Sequence, residues 1–201
     1  RPAPITSRMP HALAPDFLRA AFERALPYPA YVASGKPHEQ ANWAAFHDRV
    51  SLTAAQRAML AGFSRRINVL CISGTWCGDC VQQCPFLAHI EAANPASIGV
   101  RFVDRDQHPE LSAPLKICGG ARVPVTLFLN EDFEFLSLFG DRSLSRYRAL
   151  AARQLGGACP LPGAATPPDE IAAELADWAS EFERVHLMLR LSNKMRQRYG
   201  D

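Results

Sequence analysis

The sequence has no apolar run long enough to cross a bilayer. The stretch at 123–129 is among the longest and falls far short of the roughly 20 residues a spanning helix needs. It also lacks any block of five or more basic residues, and its formal charge is only +2, which excludes a dedicated nucleic-acid or membrane surface. Lysine is scarce: of 22 basic residues only Lys36, Lys116 and Lys194 are lysines, an arginine bias that reads as composition and not as a binding site. There is no internal repeat. The histidines at 11, 38, 47, 89, 108 and 186 form no metal-ligand spacing, so neither a metal nor a cofactor is expected. Cysteines at 71, 77, 80, 84, 118 and 159 are too few and too uneven for a disulfide scaffold in a chain of 201 residues. No charged-then-apolar leader is visible and a cytoplasmic location is expected. The chain opens at Arg1, so a removed export signal stays an open alternative.

What is present is an ordinary globular composition, 48% apolar and 21% charged. Residues 1–15 are Pro-rich and read as an extended arm. Phe17, Leu18, Ala21, Phe22, Ala25 and Leu26 then repeat on one helical face until Pro27 and Pro29. A second helix is expected over 39–50, with Trp43, Phe46 and Val50 inward. Thr53 with Gln56 forms a capping box that opens a third. Residues 1–66 thus read as a helical N-terminal extension. At Ile67 the texture changes to a β-branched run over 67–73, a buried strand. A helix follows to about residue 93, then a strand over 98–103 and a helix over 109–117. Strands over 125–129 and 133–139 are joined by Asn130-Glu131-Asp132, and a helix runs over 143–155. This order gives an α/β domain over 67–156, its last two strands antiparallel. Residues 157–201 are a linker and one long helix to about Tyr199, capped by Thr166 with Asp169. Its Ile171, Leu175, Trp178, Phe182, Val185 and Leu189 form a heptad-like seam. That seam packs on the chain's own domain or, over residues 171–189, supports self-association.

Three cysteines crowd into eight residues, 77–84. A dithiol exchanger needs a nucleophilic thiolate and a second thiol at the start of a helix, where free N–H groups and the macrodipole favour the anion. Ser73-Gly74-Thr75-Trp76-Cys77-Gly78-Asp79-Cys80 supplies this arrangement: a strand ends, a glycine-containing turn follows, and a helix opens on the cysteines. Cys77 is expected to be the exposed attacker and Cys80 the buried resolver. Asp79, anionic beside the attacking sulfur, is expected to oppose the thiolate and bias the couple toward reducing its partners.

Thr75-Trp76-Cys77-Gly78-Asp79-Cys80 resembles the Trp-Cys-Gly-Pro-Cys signature of thioredoxins, with Asp79 in place of the proline. Pro85 matches the family's helix-kinking proline. Asp106-Gln107-His108-Pro109 is similar to its Asp-Gln-Asn-Pro stretch, Val123-Pro124 to its cis-proline segment, and Gly140 to its groove glycine. The resemblance covers about 67–155, the helical flanks lying outside it. It implies a thioredoxin-like fold, a central mixed sheet flanked by helices, with a cis Val123–Pro124 bond facing the sulfurs. It further implies catalysis by Cys77 and Cys80, a flat apolar docking surface of Trp76, Val123, Pro124 and Gly140 around the sulfurs, and substrate contact by Gly78 and Asp79 as well. The partners implied are disulfide-containing proteins and a dithiol or reductase electron donor. Two departures stand out: Cys71 occupies the place of the family's buried acid and Phe102 that of its facing lysine. Asp104 is either a substitute acid or a capping residue.

The remaining thiols have plainer readings. Cys84 extends the motif to Cys-x-x-Cys-x-x-x-Cys before Pro85, which has the look of part of an iron–sulfur run, but an inert buried thiol is the simpler expectation. Cys118 and Cys159 read as loop thiols or sites of regulatory oxidation, and His186 as a residue on a polar face. The competing function is a thioredoxin-like binding or chaperone module with vestigial redox activity.

Overall fold

The computed structural model describes residues 14–155 and 169–201. The arm expected before Ala14 and the linker, with Cys159 and Thr166, lie outside the described residues. The chain opens with α1 (Pro15–Arg24), α2 (Tyr28–Ala33), α3 (Pro37–His47) and α4 (Ala54–Ala61). Pro27 and Pro29 do more than stop α1. They stand at the N-cap and first turn of α2, a helix the periodicity did not predict, where a missing N–H costs nothing. Pro37 likewise starts α3 two residues early, and Glu39 accepts from the Lys36 N–H at 3.0 Å. The Thr53–Gln56 capping box forms as expected, with bonds of 3.1 and 2.9 Å.

β1 (Ile67–Ser73), β2 (Ile98–Asp104), β3 (Val125–Leu129) and β4 (Phe135–Gly140) make one sheet in the order β2-β1-β3-β4. β1 runs parallel to β2 and antiparallel to β3, and β3–β4 is the expected antiparallel pair. Central β1 is buried throughout, as a strand covered on both faces must be. Between strands lie α5 (Gly78–Ala93) and the single turn α6 (Pro109–Ser112), and α7 (Leu144–Leu155) follows β4.

The N-terminal helices pack against this sheet. Leu26 and Phe102 exchange backbone hydrogen bonds of 2.9 and 2.8 Å, so the lead-in covers the edge of β2. Tyr31 of α2 stacks on Phe102 with ring centroids 5.4 Å apart.

The final helix is two: α8 (Glu170–Leu191) and α9 (Asn193–Tyr199). Asp169 caps the first through the Ala172 N–H at 2.9 Å, and Ser192 ends it and caps the second. Leu175, Trp178, Phe182, Val185 and Leu189 are buried within the chain, and two of them have ring contacts on the sheet. Phe182 meets Phe128 at 5.0 Å and Trp178 meets Phe139 at 4.5 Å. The seam is thus occupied within the chain. His186 departs from its expected polar face: it is buried, stacks on Phe63 and accepts the Ser64 N–H at 3.1 Å. No helix among the described residues is long and apolar enough to cross a membrane.

Candidate active site

β1 ends at Ser73, the chain turns through Gly74-Thr75-Trp76, and Cys77 stands at the N-cap of α5. The Cys77 N–H donates to Gly74 O at 3.0 Å, closing the turn. Cys77 is partly exposed and Cys80 fully buried, the expected division between attacker and resolver. The two thiols hydrogen-bond and titrate as a pair. The hydrogen bond with Cys80, and then burial, push the Cys77 thiol up, while burial of Cys80 is outweighed by hydrogen bonds, that from Cys77 first, which hold it below the ordinary thiol value. The Cys80 and Asp79 backbone N–H groups at the helix start act the other way on Cys77, by less than the neighbouring thiol and burial.

The facing wall is the Val123–Pro124 segment, whose peptide bond is cis. Val123 O lies 3.7 Å from Cys77 Sγ. Gly140 lies against this segment. It pairs with Val125, and a Cβ there would stand 2.4 Å from Pro124 O, so glycine lets β4 approach and support the segment. Gly78 faces open space, where a Cβ would touch nothing.

The surface around Cys77 is not the flat apolar platform expected. A cleft of about 330 Å³ is lined by Trp76, Cys77 and Val123 together with charged residues of both signs, Arg105, Arg122 and Arg142 with Asp79 and Asp141. Trp76 is 47% exposed, with Arg105 4.6 Å over its ring. Asp79 is paired with Arg142 at 2.6 Å and Arg146 at 3.4 Å, both reaching from the α7 region. It therefore does not face Cys77 as the lone carboxylate expected, and the two arginines are shared with Asp141 and Glu174. Buried Asp141 anchors Arg122 at 3.1 Å and accepts from Tyr147. Burial alone would push its carboxyl up, but these hydrogen bonds hold it below the ordinary value. The arginines' role at the site had no local signal in an Arg-rich chain.

Support from the N-terminal helices was also illegible in the sequence. Trp43 Nε1 donates to Thr75 O at 2.9 Å, and Thr75 Oγ1 donates to Glu39 at 2.8 Å, so α3 fixes the loop before Trp76. Gly35 packs against this loop, where a Cβ would come within 3.0 Å of Thr75.

Behind Cys80 the two departures form one apolar-compatible layer. Cys71 is paired in register with Phe102. Cys71 Sγ lies 3.8 Å from Cys84 Sγ and accepts from Thr126 Oγ1 at 3.6 Å, while Ser73 Oγ lies 3.5 Å from Cys84 Sγ. Cys84 is buried, as expected. Asp104 is a capping residue, accepting the Asp106 and Gln107 N–H groups at 2.8 and 3.2 Å. Cys118 is exposed in a tight turn closed by reciprocal Ile117–Gly120 bonds.

Among solved structures the chain is similar to that of a protein of unknown function from Pseudomonas aeruginosa. The TM-score is 0.63 at 19% identity, over 82% of this chain and 93% of that one. It is also similar to an HIV epitope scaffold, with TM-score 0.56 at 21% identity over 85% and 93% of the two chains. These likenesses are of fold. No curated protein matches the sequence. A family model described as thioredoxin matches residues 25–152, more than half of the chain, and its span takes in the helices that hold the Thr75 loop. The chain belongs to the thioredoxin family.

Proposed function

We propose that this protein is a thiol–disulfide oxidoreductase that reduces disulfides in protein partners through Cys77 and Cys80. The observation that carries the reading is the stacking of functions along one line. Cys77 is reachable at a helix N-terminus, Val123 O faces it at 3.7 Å, and Cys80 lies buried one turn in. In the forward step the Cys77 thiolate attacks a partner disulfide. A Cys77–partner bond forms, and the other partner sulfur leaves as a thiolate and takes up a proton. Cys80 then loses its proton and attacks Cys77 Sγ. The Cys77–Cys80 disulfide forms and the second partner thiol departs. Two electrons have passed to the partner, and a dithiol or reductase returns them by the reverse exchange. Val123 and Pro124, with Trp76 beside them, offer backbone and one large apolar face to the partner chain. Asp79, Gly78 and Gly140 shape the site from the helix start and from beneath. A reductant of this kind belongs where thiols are kept reduced, which favours the cytoplasm.

In an insulin-turbidity assay with dithiothreitol, the protein should accelerate precipitation, Cys77→Ser should abolish the effect, and Cys80→Ser should accumulate a mixed disulfide on Cys77. Undiminished activity of Cys77→Ser would overturn the assignment, leaving the fold as a binding or chaperone module.

A further inference from the structure

The charges of the cleft beside Cys77 are connected. Arg122 donates to Asp141 at 3.1 Å, Arg142 stands 3.7 Å from Asp141 and 2.6 Å from Asp79, and Arg146 lies 3.4 Å from Asp79. The network alternates in sign and has an arginine at each end, so it carries one net positive charge. Beyond Arg146 comes Glu174 at 3.9 Å, whose carboxyl burial pushes up to about 7, so near neutral pH it offsets that charge only in part. At the cleft end the acid is hidden and the base is not: the side chain of Asp141 is 4% exposed and that of Arg122 38%. Arg105 lies over the Trp76 ring, its Nη1 on Ala121 O and its Nε on Asp106, each at 2.9 Å. Asp106, 60% exposed, is the one mostly exposed carboxylate bound to these arginines. Arg105 and Arg122 thus both belong to the segment Ala121–Val123, which faces Cys77 Sγ through Val123 O at 3.7 Å. A guanidinium has five N–H donors, and these bonds leave Nη2 of both arginines without a partner among the described residues.

We propose that Arg122, with Arg105 beside Trp76, selects partners whose disulfide lies in an acidic segment, by donating to carboxylates that flank the attacked cysteine. This rests on the dithiol reading above and names the substrate class of the same site. The Cys77 thiolate alone would repel an acidic segment and favour a basic one, so a preference for acid is a signature of the arginines. Guanidinium groups suit the task, being planar, always charged and able to give two parallel N–H bonds to one carboxylate. Both are already held, Arg122 by Asp141 and Arg105 by Ala121 O and the indole face, and so lose little freedom when a partner docks. The exchange itself is unaltered: Cys77 attacks the partner disulfide, and neither arginine gives or takes a proton.

The test uses the reduced full chain carrying Cys118→Ser and Cys159→Ser. Three peptides of equal length each hold one cysteine as its nitrothiobenzoate mixed disulfide, flanked by aspartates, serines or lysines. Attack by Cys77 on the peptide sulfur forms a Cys77–peptide disulfide and expels nitrothiobenzoate. Cys80 then attacks Cys77 Sγ, closing the Cys77–Cys80 disulfide and releasing the peptide thiol. The quantity read is the ratio of second-order release rates, in which any change in Cys77 ionisation cancels. With about two- to fivefold from each exposed ion pair, the aspartate peptide should react about five- to tenfold faster than the serine peptide, and the lysine peptide slowest. The aspartate-to-serine ratio should fall to about two in Arg122→Gln and to about one in Arg105→Gln/Arg122→Gln, and Arg122→Lys should keep most of it. Equal rates for the three peptides, a faster lysine peptide, or a ratio unmoved in the double variant would overturn the proposal and leave the dithiol reading standing. Where the double variant fails to melt cooperatively, a salt series on the parent decides: a ratio that shrinks toward one near about 1 M salt supports the assignment, and an unmoved one refutes it. Release undiminished in Cys77→Ser would instead overturn the dithiol reading, and this inference with it.

Discussion

At the scale of single residues, Asp79 shows how a neighbour reverses an electrostatic argument. A carboxylate alone beside Cys77 would disfavour the thiolate, but Asp79 is ion-paired with Arg142 at 2.6 Å and Arg146 at 3.4 Å and does not act alone. Asp79→Asn removes the nearest carboxylate from Arg142, which lines the same cleft as Cys77. The pH midpoint of Cys77 alkylation should therefore fall by about half a unit, which makes the couple less negative by about 15 mV. A midpoint that rises would show that the arginines do not reach the thiolate. The cysteine pair was legible in the sequence because its chemistry is local: strand end, glycine turn and helix start are consecutive. The partners of Asp79 were not, since they lie more than 60 positions away and arginine is everywhere in this chain.

Among elements, the strands and the capped helix α4 followed from period and capping, whereas α2 did not, because its prolines read as terminators when they are initiators. The break at Ser192 was hidden for a similar reason: one serine can continue a helix or cap the next. The seam of α8 was legible as apolar, but its polar neighbours were not read as buried. Glu174 on that helix is 4% exposed, 3.9 Å from Arg146, and burial pushes its carboxyl up to about 7. A carboxyl raised above its unfolded value binds its proton more tightly when folded. The stability it lends is full below the unfolded value near 4.5 and is lost as pH rises through 7. In urea denaturation, Glu174→Gln should gain on the parent by about 2–3 kcal/mol between pH 5 and pH 8. Parallel stability curves for the two proteins would contradict a buried, proton-holding Glu174.

For the whole molecule, the N-terminal helices and α8–α9 are bound into the sheet and the site. The lead-in pairs with β2 at Leu26 and fixes Thr75 through Trp43 and Glu39. Arg65 joins Glu131 and Asp201 at 2.7 Å each, tying the chain's C-terminal end to the start of β1. Such contacts come from distant positions and leave no period or motif, which is why these segments read as extensions. The dithiol–disulfide couple proposed for Cys77 and Cys80 can be observed directly. The most direct test equilibrates the full chain across a series of dithiothreitol redox buffers, quenches it with an alkylating agent and maps every cysteine by mass. The account predicts a single reversible two-electron transition confined to Cys77 and Cys80, with Cys71 and Cys84 remaining thiols. Cys77 and Cys80 staying reduced across the series, or a disulfide forming between other cysteines in their place, would contradict it.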